Sequence, residues 1–403
     1  MQMNKITFFI ETYGCQMNIA DSSNLKKLLF ANGFIEETFF SENTNIVILN
    51  TCSVRHSAEN RIYGRLGHYK KLKENNTFLL ILTGCMAEKE KDSIFKSFPY
   101  VDYVIGTHHL NIIPDLIKDS KKNKVYSGFD DYKFSVSAPD SDYPFRAFVN
   151  IIHGCSNFCS YCIVPYVRGK EISRNPDEII DDIKQLIDSN VKEIVLLGQN
   201  VNSYGKDAGF ISFAELLKRI DKIDGLSRLK FITSHPRDFS YELIDVLAEL
   251  EHLSHDIHLP LQSGSDKVLA LMNRGYTFKE YFQKVDYLRK KLDNPRLSTD
   301  LLVGFPGEEQ DDYEKILDAV NKIRFDEAYM YKYSKRKGTQ AFLIKETLSA
   351  HEKQSRLSKL IETQIKITIE KLKERIGMRD TILIESKSKN SKNEFIGSSS
   401  KGY

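Results

Sequence analysis

Three cysteines within eight residues, Cys155, Cys159 and Cys162, constrain this chain more than any other feature of it. They stand in Gly154-Cys155-Ser156-Asn157-Phe158-Cys159-Ser160-Tyr161-Cys162, directly after an apolar run, Ala147 to Ile152, that reads as a strand. A C-x3-C-x2-C loop holds three irons of a cubane [4Fe-4S] cluster and leaves the fourth iron without a protein ligand, open to a substrate or cofactor. A structural zinc site competes with that reading. It asks for a fourth ligand, and no fourth Cys lies nearby, although His153 is within reach along the chain. Inert buried thiols are the third reading.

The chain holds only six cysteines in 403 residues, far too few for a disulfide scaffold. The other three, Cys15, Cys52 and Cys85, each follow an apolar strand: Phe8-Phe9-Ile10 before Tyr13-Gly14-Cys15, Val47-Ile48-Leu49 before Asn50-Thr51-Cys52, and Leu80-Ile81-Leu82 before Thr83-Gly84-Cys85. Parallel strands end on one edge of a sheet, so thiols just past three such ends converge in the crevice where open α/β sheets bind ligands. One such Cys alone reads as a small buried hydrophobe. Three at equivalent positions read as a second open [4Fe-4S] site.

The rest of the composition is that of an ordinary soluble protein. It is 41% hydrophobic and 28% charged, with 58 Lys plus Arg against 55 Asp plus Glu, which excludes collagen-like, disordered and membrane-embedded classes. The N-terminal apolar run ends at Glu11, too short for a signal-peptide core, and no apolar stretch approaches the roughly 18 residues of a membrane helix. The expected location is the cytoplasm, where thiols stay reduced.

The first 117 residues alternate strands and helices: strands at Thr7 to Ile10, Ile46 to Leu49, Phe78 to Leu82 and Tyr103 to Ile105, helices at Ser22 to Ala31, Ala58 to Leu72, Asp92 to Phe98 and Leu110 to Ile117. That rhythm predicts a small doubly wound α/β domain over residues 4–120. A polar, Pro-bearing linker follows at 121–145. A second series has strands at Ala147 to Ile152, Glu193 to Leu197, Leu229 to Thr233, Asp256 to Leu259, Leu297 to Val303 and Glu327 to Tyr333. Six units in roughly 190 residues are too few for an eight-fold barrel and predict a partial (β/α)6 barrel over 146–350, with reactive groups on loops at the C-terminal ends of its strands. A connecting helix is expected at 351–376. Residues 377–403 begin a small β domain, and 351–403 carry 12 Lys plus Arg against 7 Asp plus Glu, so the positive charge is concentrated in the tail.

The C-x3-C-x-aromatic-C loop at the first strand of a partial barrel resembles the radical S-adenosylmethionine superfamily. Gly14-Cys15-Gln16-Met17-Asn18, Asn50-Thr51-Cys52-Ser53-Val54-Arg55, Gly84-Cys85-Met86-Ala87, Ile163-Val164-Pro165-Tyr166-Val167-Arg168-Gly169, Gly198-Gln199-Asn200, Ser234-His235-Pro236, His258-Leu259-Pro260-Leu261-Gln262 and Val303-Gly304-Phe305-Pro306-Gly307-Glu308 are similar to the signatures of the methylthiotransferase family within it. The Gln-Met-Asn and Ser-Val-Arg variants resemble the tRNA-modifying branch. The likeness runs from about residue 6 to residue 385.

That resemblance implies two [4Fe-4S] clusters, on Cys15, Cys52 and Cys85 and on Cys155, Cys159 and Cys162, with S-adenosyl-L-methionine on the open iron of the second. It implies addition of a methylthio group to carbon 2 of N6-isopentenyladenosine next to the tRNA anticodon, at the expense of two S-adenosylmethionine. A relative acting on N6-threonylcarbamoyladenosine and a non-catalytic metal-bearing RNA-binding protein are the alternatives. Tyr161 matches the aromatic position that lies against adenine, with core packing as its other reading. Gln199, Asn200, Ser234, Gln262 and Gly304 are regional candidates for S-adenosylmethionine contacts, and His235 and His258 are taken as structural. The implied partners are a tRNA anticodon stem-loop, an electron donor such as flavodoxin or ferredoxin and a sulfur source, with no membrane and a monomeric state. Arg146, Arg168, Lys170 and Arg174 are candidates for phosphate attraction. The resemblance makes residues 377–403 a partial TRAM-like RNA-binding domain, too short to close its barrel.

Overall fold

The structure is a computed structural model that describes residues 6–53, 56–118, 124–129, 132–140, 143–388, 391 and 393–402. Val54 and Arg55 of the second cysteine motif, Tyr403, and the expected domain limits at residues 4, 120 and 121 lie outside the described residues. Contacts divide the chain into two units, 1–156 with 163–174, and 157–162 with 175–403.

The first unit runs β1 (Thr7–Tyr13), α1 (Gln16–Ala31), β2 (Ile35–Glu36), β3 (Ile46–Thr51), α2 (His56–Lys73), β4 (Leu79–Gly84), α3 (Cys85–Glu90), α4 (Ser93–Ser97), β5 (Tyr103–Ile105), α5 (Ile113–Lys118) and β6 (Lys124–Tyr126). Its sheet is wholly parallel in the order β2-β1-β3-β4-β5-β6. Strand alternation explains the two-sided core. Val47, Leu49, Leu80 and Leu82 face Ile62, Leu66 and Tyr69 of α2, while Ile46, Ile48 and Ile81 face Leu25 and Leu29 of α1 with Ile113 and Leu116. The order reverses between β1 and β3, the switch point at which such sheets open a ligand crevice. The same unit contains β7 (Arg146–Asn150), β8 (Ile152–His153), α6 (Val164–Arg168) and β9 (Ile172–Ser173), with β8 and β9 antiparallel. The expected strand Ala147 to Ile152 is thus split in two.

Several short elements went unforeseen, among them β2 and β6, which at two and three residues are too short to show a period, and α3, α6 and β9. Helix α1 starts six residues before the expected Ser22, since its first turns bury Asn18, Asp21, Ser22 and Ser23 rather than an apolar stripe.

The second unit runs α7 (Pro176–Asp188), β10 (Glu193–Leu197), α8 (Phe213–Asp221), β11 (Arg228–Phe231), α9 (Tyr241–Glu249), β12 (Asp256–His258), α10 (Asp266–Leu271), α11 (Phe278–Lys291), β13 (Arg296–Val303), α12 (Gln310–Ile323), β14 (Glu327–Lys332), α13 (Ala350–Glu374), β15 (Ile382–Lys387) and β16 (Phe395–Ser399). β10 pairs with β11, and β12, β13 and β14 pair in order, all parallel. A single parallel bridge, Leu229 to Leu253, continues the series beyond β11. Helix caps sit where the sequence offers them: Asn175 accepts from Asp177, Ser212 from Glu215, Ser240 from Leu243 and Ser265 from Val268.

The N-terminal ends of these strands are tied by ion pairs. Arg296 bonds Asp256 at 2.7 Å and also pairs with Glu327, and buried Arg228 stands 3.4 Å from Glu193. The β15–β16 hairpin is antiparallel, and Arg228 donates to the Ser398 carbonyl at 3.2 Å while Ser254 donates to the Ser400 carbonyl at 2.8 Å.

Gly84, the last residue of β4, has φ +92°, and a Cβ there would collide with the Thr51 carbonyl oxygen and come within 2.7 Å of Asn50 Oδ1. Gly33 has φ +84° but open space around it. Gly84→Ala is expected to cost about 3 kcal/mol in urea unfolding and Gly33→Ala about 1 kcal/mol, the difference being the backbone collision.

Candidate functional site

Cys15 ends the β1 turn as the residue before α1, Cys52 follows β3 directly, and Cys85 opens α3 after β4. All three lie past the C-terminal ends of adjacent parallel strands, on either side of the switch point. A buried amide network fixes their backbones. Asn18 Oδ1 accepts from the Cys15 N–H at 3.3 Å and lies 3.5 Å from its Sγ. Asn18 Nδ2 donates to Asn50 Oδ1 at 3.0 Å and to the Thr51 carbonyl at 3.3 Å. Asn50 Nδ2 in turn donates to the Asn18 carbonyl and to Ser22 Oγ, each at 2.9 Å.

One cation joins this group. Arg168, at the end of α6, is 2% exposed, and its Nε donates to Cys85 Sγ at 3.4 Å while Nη2 bonds the Asp21 carboxylate at 2.9 Å. The α6 backbone is held by Thr107 Oγ1 donating to the Val167 carbonyl at 2.9 Å and by His108 against the Arg168 carbonyl at 3.2 Å. Burial pushes the Cys85 thiol up, against the pull of Arg168. The expectation that Arg168 attracts RNA phosphate is corrected: its charge is spent in the interior. Arg174, 5% exposed, lies with its guanidinium 5.9 Å from the Phe134 ring and is likewise withdrawn from solvent. Arg146 lies over the Tyr143 ring, and Lys170 is exposed.

The division between units passes through the C-x3-C-x2-C loop. In the first unit the Cys155 N–H donates to the Gly169 carbonyl at 3.0 Å. His153, the extra ligand a zinc reading would use, is buried and stacked on Tyr132 with ring centroids 3.8 Å apart; burial, with Arg168 nearby, holds it well below its usual range.

In the second unit Cys159 is covered by Arg274, which is 4% exposed. Its Nη1 donates to Cys159 Sγ at 3.3 Å and to the Tyr161 hydroxyl at 3.4 Å, Nε to the Tyr276 hydroxyl at 3.0 Å, and Nη2 to the Pro260 carbonyl at 3.1 Å. His235 Nε2 stands 3.9 Å from the same sulfur, kept neutral by burial and by Arg274. The Cys162 N–H closes a turn on the Cys159 carbonyl at 2.9 Å, and Ser160 is pinned by its N–H to the Met272 carbonyl at 3.0 Å.

These residues fit an anionic cluster by their charges. A buried guanidinium is costly unless an anion answers it. No carboxylate is among Arg274's partners in the described residues, and burial keeps the Tyr161 and Tyr276 phenols protonated. The remaining partner able to carry negative charge is Cys159, as a thiolate ligand. Arg168 shows the same need differently: its Nη1 is buried with no hydrogen-bond acceptor among the described residues. Among the described residues no three His, Cys, Asp or Glu side chains converge as one metal ion requires. A cubane instead takes one thiolate on each of three irons.

Neither arginine's role was legible in the sequence. Arg168 read as a surface cation, and Arg274, in Met272-Asn273-Arg274-Gly275-Tyr276, was passed over. The signal available was an Arg beside Gly in a loop that follows short apolar helix α10.

The regional candidates lie at strand ends. Asn200, after β10, donates to Asp238 at 2.7 Å, and its Oδ1 is buried without a partner among the described residues, as is Ser234 Oγ after β11. Gln199 is half-buried. Gln262, after β12, has φ +73°, bonds the Asp300 carbonyl through its N–H at 2.8 Å and bridges to Leu301. Gly304, after β13, has φ +71°, and the space where a Cβ would go is filled by Lys353 Cγ at 2.6 Å. Tyr161 packs against the cluster of Met272, Phe305 and Tyr333. His258 bonds Ser298 Oγ at 3.0 Å and Asp300 at 3.3 Å, as a structural histidine does.

The Radical SAM superfamily pattern matches residues 149–320, and that of the uncharacterized protein family UPF0004 matches residues 7–106. The tRNA-2-methylthio-N(6)-dimethylallyladenosine synthase of Treponema denticola is 42% identical over 98% of this chain and 92% of its own length. The protein of that name from Clostridium botulinum is 44% identical over 97% of this chain and 88% of its own. The chain belongs to the tRNA-2-methylthio-N(6)-dimethylallyladenosine synthase family. Radical SAM membership carries a [4Fe-4S] cluster and S-adenosylmethionine with it. Among solved structures, the radical S-adenosylmethionine methyltransferase TsrM from Kitasatospora setae matches at TM-score 0.62 and 13% identity over 85% of this chain and 74% of that one. Apo OxsB, a cobalamin-dependent S-adenosylmethionine radical enzyme, matches at 0.60 and 13% over 94% and 62%. At such identity they show the fold alone: α/β, with a radical SAM domain and parallel sheets.

For this family member, Arg274→Met is expected to change sign with loading. In the metal-free chain it removes an unanswered buried cation and raises urea stability by about 1–2 kcal/mol; after anaerobic iron and sulfide loading it loses iron to a chelator faster than the parent. Thr233, just past β11, holds φ +73°, costly for a β-branched residue. Thr233→Gly is expected to add about 1 kcal/mol in urea unfolding while weakening S-adenosylmethionine binding in anaerobic calorimetry.

Proposed function

We propose that this chain adds a methylthio group to carbon 2 of N6-isopentenyladenosine next to the anticodon of tRNA, using two S-adenosylmethionine and two [4Fe-4S] clusters. The observation that carries the reading is identity of 42–44% over 97–99% of the chain with relatives bearing that synthase's name. The chemistry agrees with it: carbon 2 of adenine has neither an acidic proton nor a leaving group, so its functionalisation needs a cofactor-borne radical. The cluster that Cys155, Cys159 and Cys162 would hold supplies one-electron cleavage of S-adenosylmethionine, and the one that Cys15, Cys52 and Cys85 would hold keeps the sulfur that is transferred.

The protein's own residues bind and orient. Arg274 neutralises charge at Cys159 and fixes the Tyr161 hydroxyl. The free polar atoms of Asn200 and Ser234, with Gln199, Gln262 and Gly304, are the S-adenosylmethionine contacts at the strand ends. The domain assignment accompanying this reading is an N-terminal methylthiotransferase domain at 4–120, a linker at 121–145, the radical SAM core at 146–350, a connecting helix at 351–376 and a TRAM-like RNA-binding segment at 377–403. The reading includes a cytoplasmic monomer served by a flavodoxin or ferredoxin and by a separate sulfur source. No helix among the described residues is long and apolar enough to cross a membrane.

The test is nucleoside mass spectrometry of tRNA from a strain lacking the endogenous synthase and complemented with this chain. Restored 2-methylthio-N6-isopentenyladenosine is expected. Cys52→Ala and Cys159→Ala each leave N6-isopentenyladenosine to accumulate. Unchanged nucleosides with the parent chain overturn the reading.

A further inference from the structure

The two signs of charge nearly balance over the whole chain, 58 Lys plus Arg against 55 Asp plus Glu, but not along residues 329–345. That segment holds Lys332, Lys335, Arg336, Lys337 and Lys345 and no Asp or Glu. Surface cations elsewhere in the same unit are answered by carboxylates: Arg324 by Glu370 and Glu374, Lys366 by Glu362, and Lys290 by Asp286. Lys335 instead holds its ammonium 5.7 Å from the centre of the Phe342 ring, and among the described residues neither it nor Lys337 has a carboxylate partner. Like charges left together repel one another, so such a strip is best completed by a polyanion.

Aromatic rings are interleaved with these cations. Alternation along β14 turns Lys332 toward Gln354 of α13, which it bonds at 3.0 Å, and turns Tyr329 and Tyr331 to the other face, where Tyr329 meets the His258 ring at 5.9 Å. The two tyrosines stand on the outer strand of the β12-β13-β14 sheet and are 45% and 40% exposed. Phe342 and Leu343 are exposed as well. The C-x3-C-x2-C loop fixes the place of the strip: the Ala341 N–H donates to the Ser160 carbonyl at 2.7 Å, and Tyr333, Ala341 and Ile344 pack in one cluster with Tyr161.

We propose that residues 329–345 are the seat of the single-stranded part of an RNA substrate, with phosphates on Lys335, Arg336 and Lys337 and bases against Tyr331 and Phe342. The inference rests on the tRNA reading above and adds to it the surface, beside the radical loop, on which an anticodon loop lies. Cations that track a backbone, next to rings on which bases stack, are how proteins hold unpaired strands. An acidic electron carrier is drawn by the same charge, but the alternation of ring and cation suits a polymer that itself repeats base and phosphate.

The experiment uses the full chain, loaded anaerobically with iron and sulfide, and an anticodon stem-loop RNA carrying N6-isopentenyladenosine. Binding is read by fluorescence anisotropy between about 50 and 200 mM salt, at equal iron content. Lys335→Gln with Lys337→Gln is expected to reduce the slope of log affinity against log salt by about 1.4, the value for two phosphate contacts to a single strand. Tyr331→Ala is expected to weaken binding about tenfold, as loss of one stacked base does, with the slope unchanged, and Tyr331→Phe to keep parental affinity. Lys359→Gln with Lys366→Gln, a matched pair on the exposed side of α13, is expected to keep the parental slope. Parental slope and affinity in the strip variants overturn the proposal, and so does an equal fall in the α13 pair, since any lost charge would then serve. Variants that bind RNA as the parent does but accept electrons more slowly from reduced flavodoxin overturn it in favour of the electron carrier. If the parent chain itself does not bind the stem-loop, the tRNA reading falls and the proposal with it, a different result from parental binding in the variants.

Discussion

Each set of cysteines depends on a buried guanidinium that touches a sulfur. Arg168 reaches Cys85 and Arg274 reaches Cys159, at 3.4 and 3.3 Å. Burying a cation is among the more expensive things a protein does, and removing its counter-charge costs several kcal/mol. The chain accepts that cost twice, at the two places where it also gathers thiols. A site of neutral thiols would not need it. An iron-sulfur cluster with thiolate ligands is anionic, and a hydrogen bond to its sulfur is one of the means by which a protein sets its potential. The arginines differ in how they are balanced. Arg168 shares its charge with Asp21, whereas Arg274 has only phenols, a carbonyl and the sulfur. Arg274 therefore depends more than Arg168 on the negative charge of its sulfur partner.

The placement of Cys15, Cys52 and Cys85 past neighbouring strand ends comes from the backbone. Parallel strands β1, β3 and β4 run in register, with Tyr13 beside Thr51 and Thr51 beside Gly84. The residues that follow are therefore delivered to one edge. Close approach of neighbouring strand ends is what removes the side chain at residue 84. Asn18 and Asn50 then replace the hydrogen bonds that the strand ends and the first turn of α1 would otherwise leave unmade. The polar side of α1 is in this sense part of what supports the backbone around Cys15 and Cys52.

The sequence was most informative where one physical signal acted alone. Apolar runs such as Tyr103 to Ile105 and Glu193 to Leu197 became strands with those limits. It was least informative where tertiary context decided. A two-residue edge strand such as β2 has no period to read. Arg168 carries the same local signature as a solvated basic residue, and only the partners brought to it by the fold, Asp21 from α1 and Cys85 from α3, reveal its use. Arg274 was hidden for a related reason: charge near a Gly turn suggests surface, and nothing local says that Cys159, more than a hundred positions earlier, will lie against it. The unpaired Ser234 Oγ and Asn200 Oδ1 are invisible in sequence because being unpaired is a property of surroundings.

The second unit separates stability from chemistry along its strands. Their N-terminal ends begin with charged residues that pair across neighbouring strands: Glu193 with Arg228, and Asp256 and Glu327 with Arg296. Their C-terminal ends carry the opposite investments: left-handed backbone at Thr233 and Gln262, and buried polar atoms with no partner at Asn200 and Ser234. Strain and unmet hydrogen bonds each cost of order 1–3 kcal/mol and persist only when the rest of the fold can sustain them. Parallel strands permit this because their two ends are different surfaces made by the same strands, so one can be optimised for holding together while the other is left incomplete for a ligand. The β15–β16 hairpin follows that division, since Ser398 and Ser400 bond the charged, stabilising end at Arg228 and Ser254. Whatever the tail does beyond that contact, it is anchored where it leaves the strand ends that bear the candidate S-adenosylmethionine contacts free.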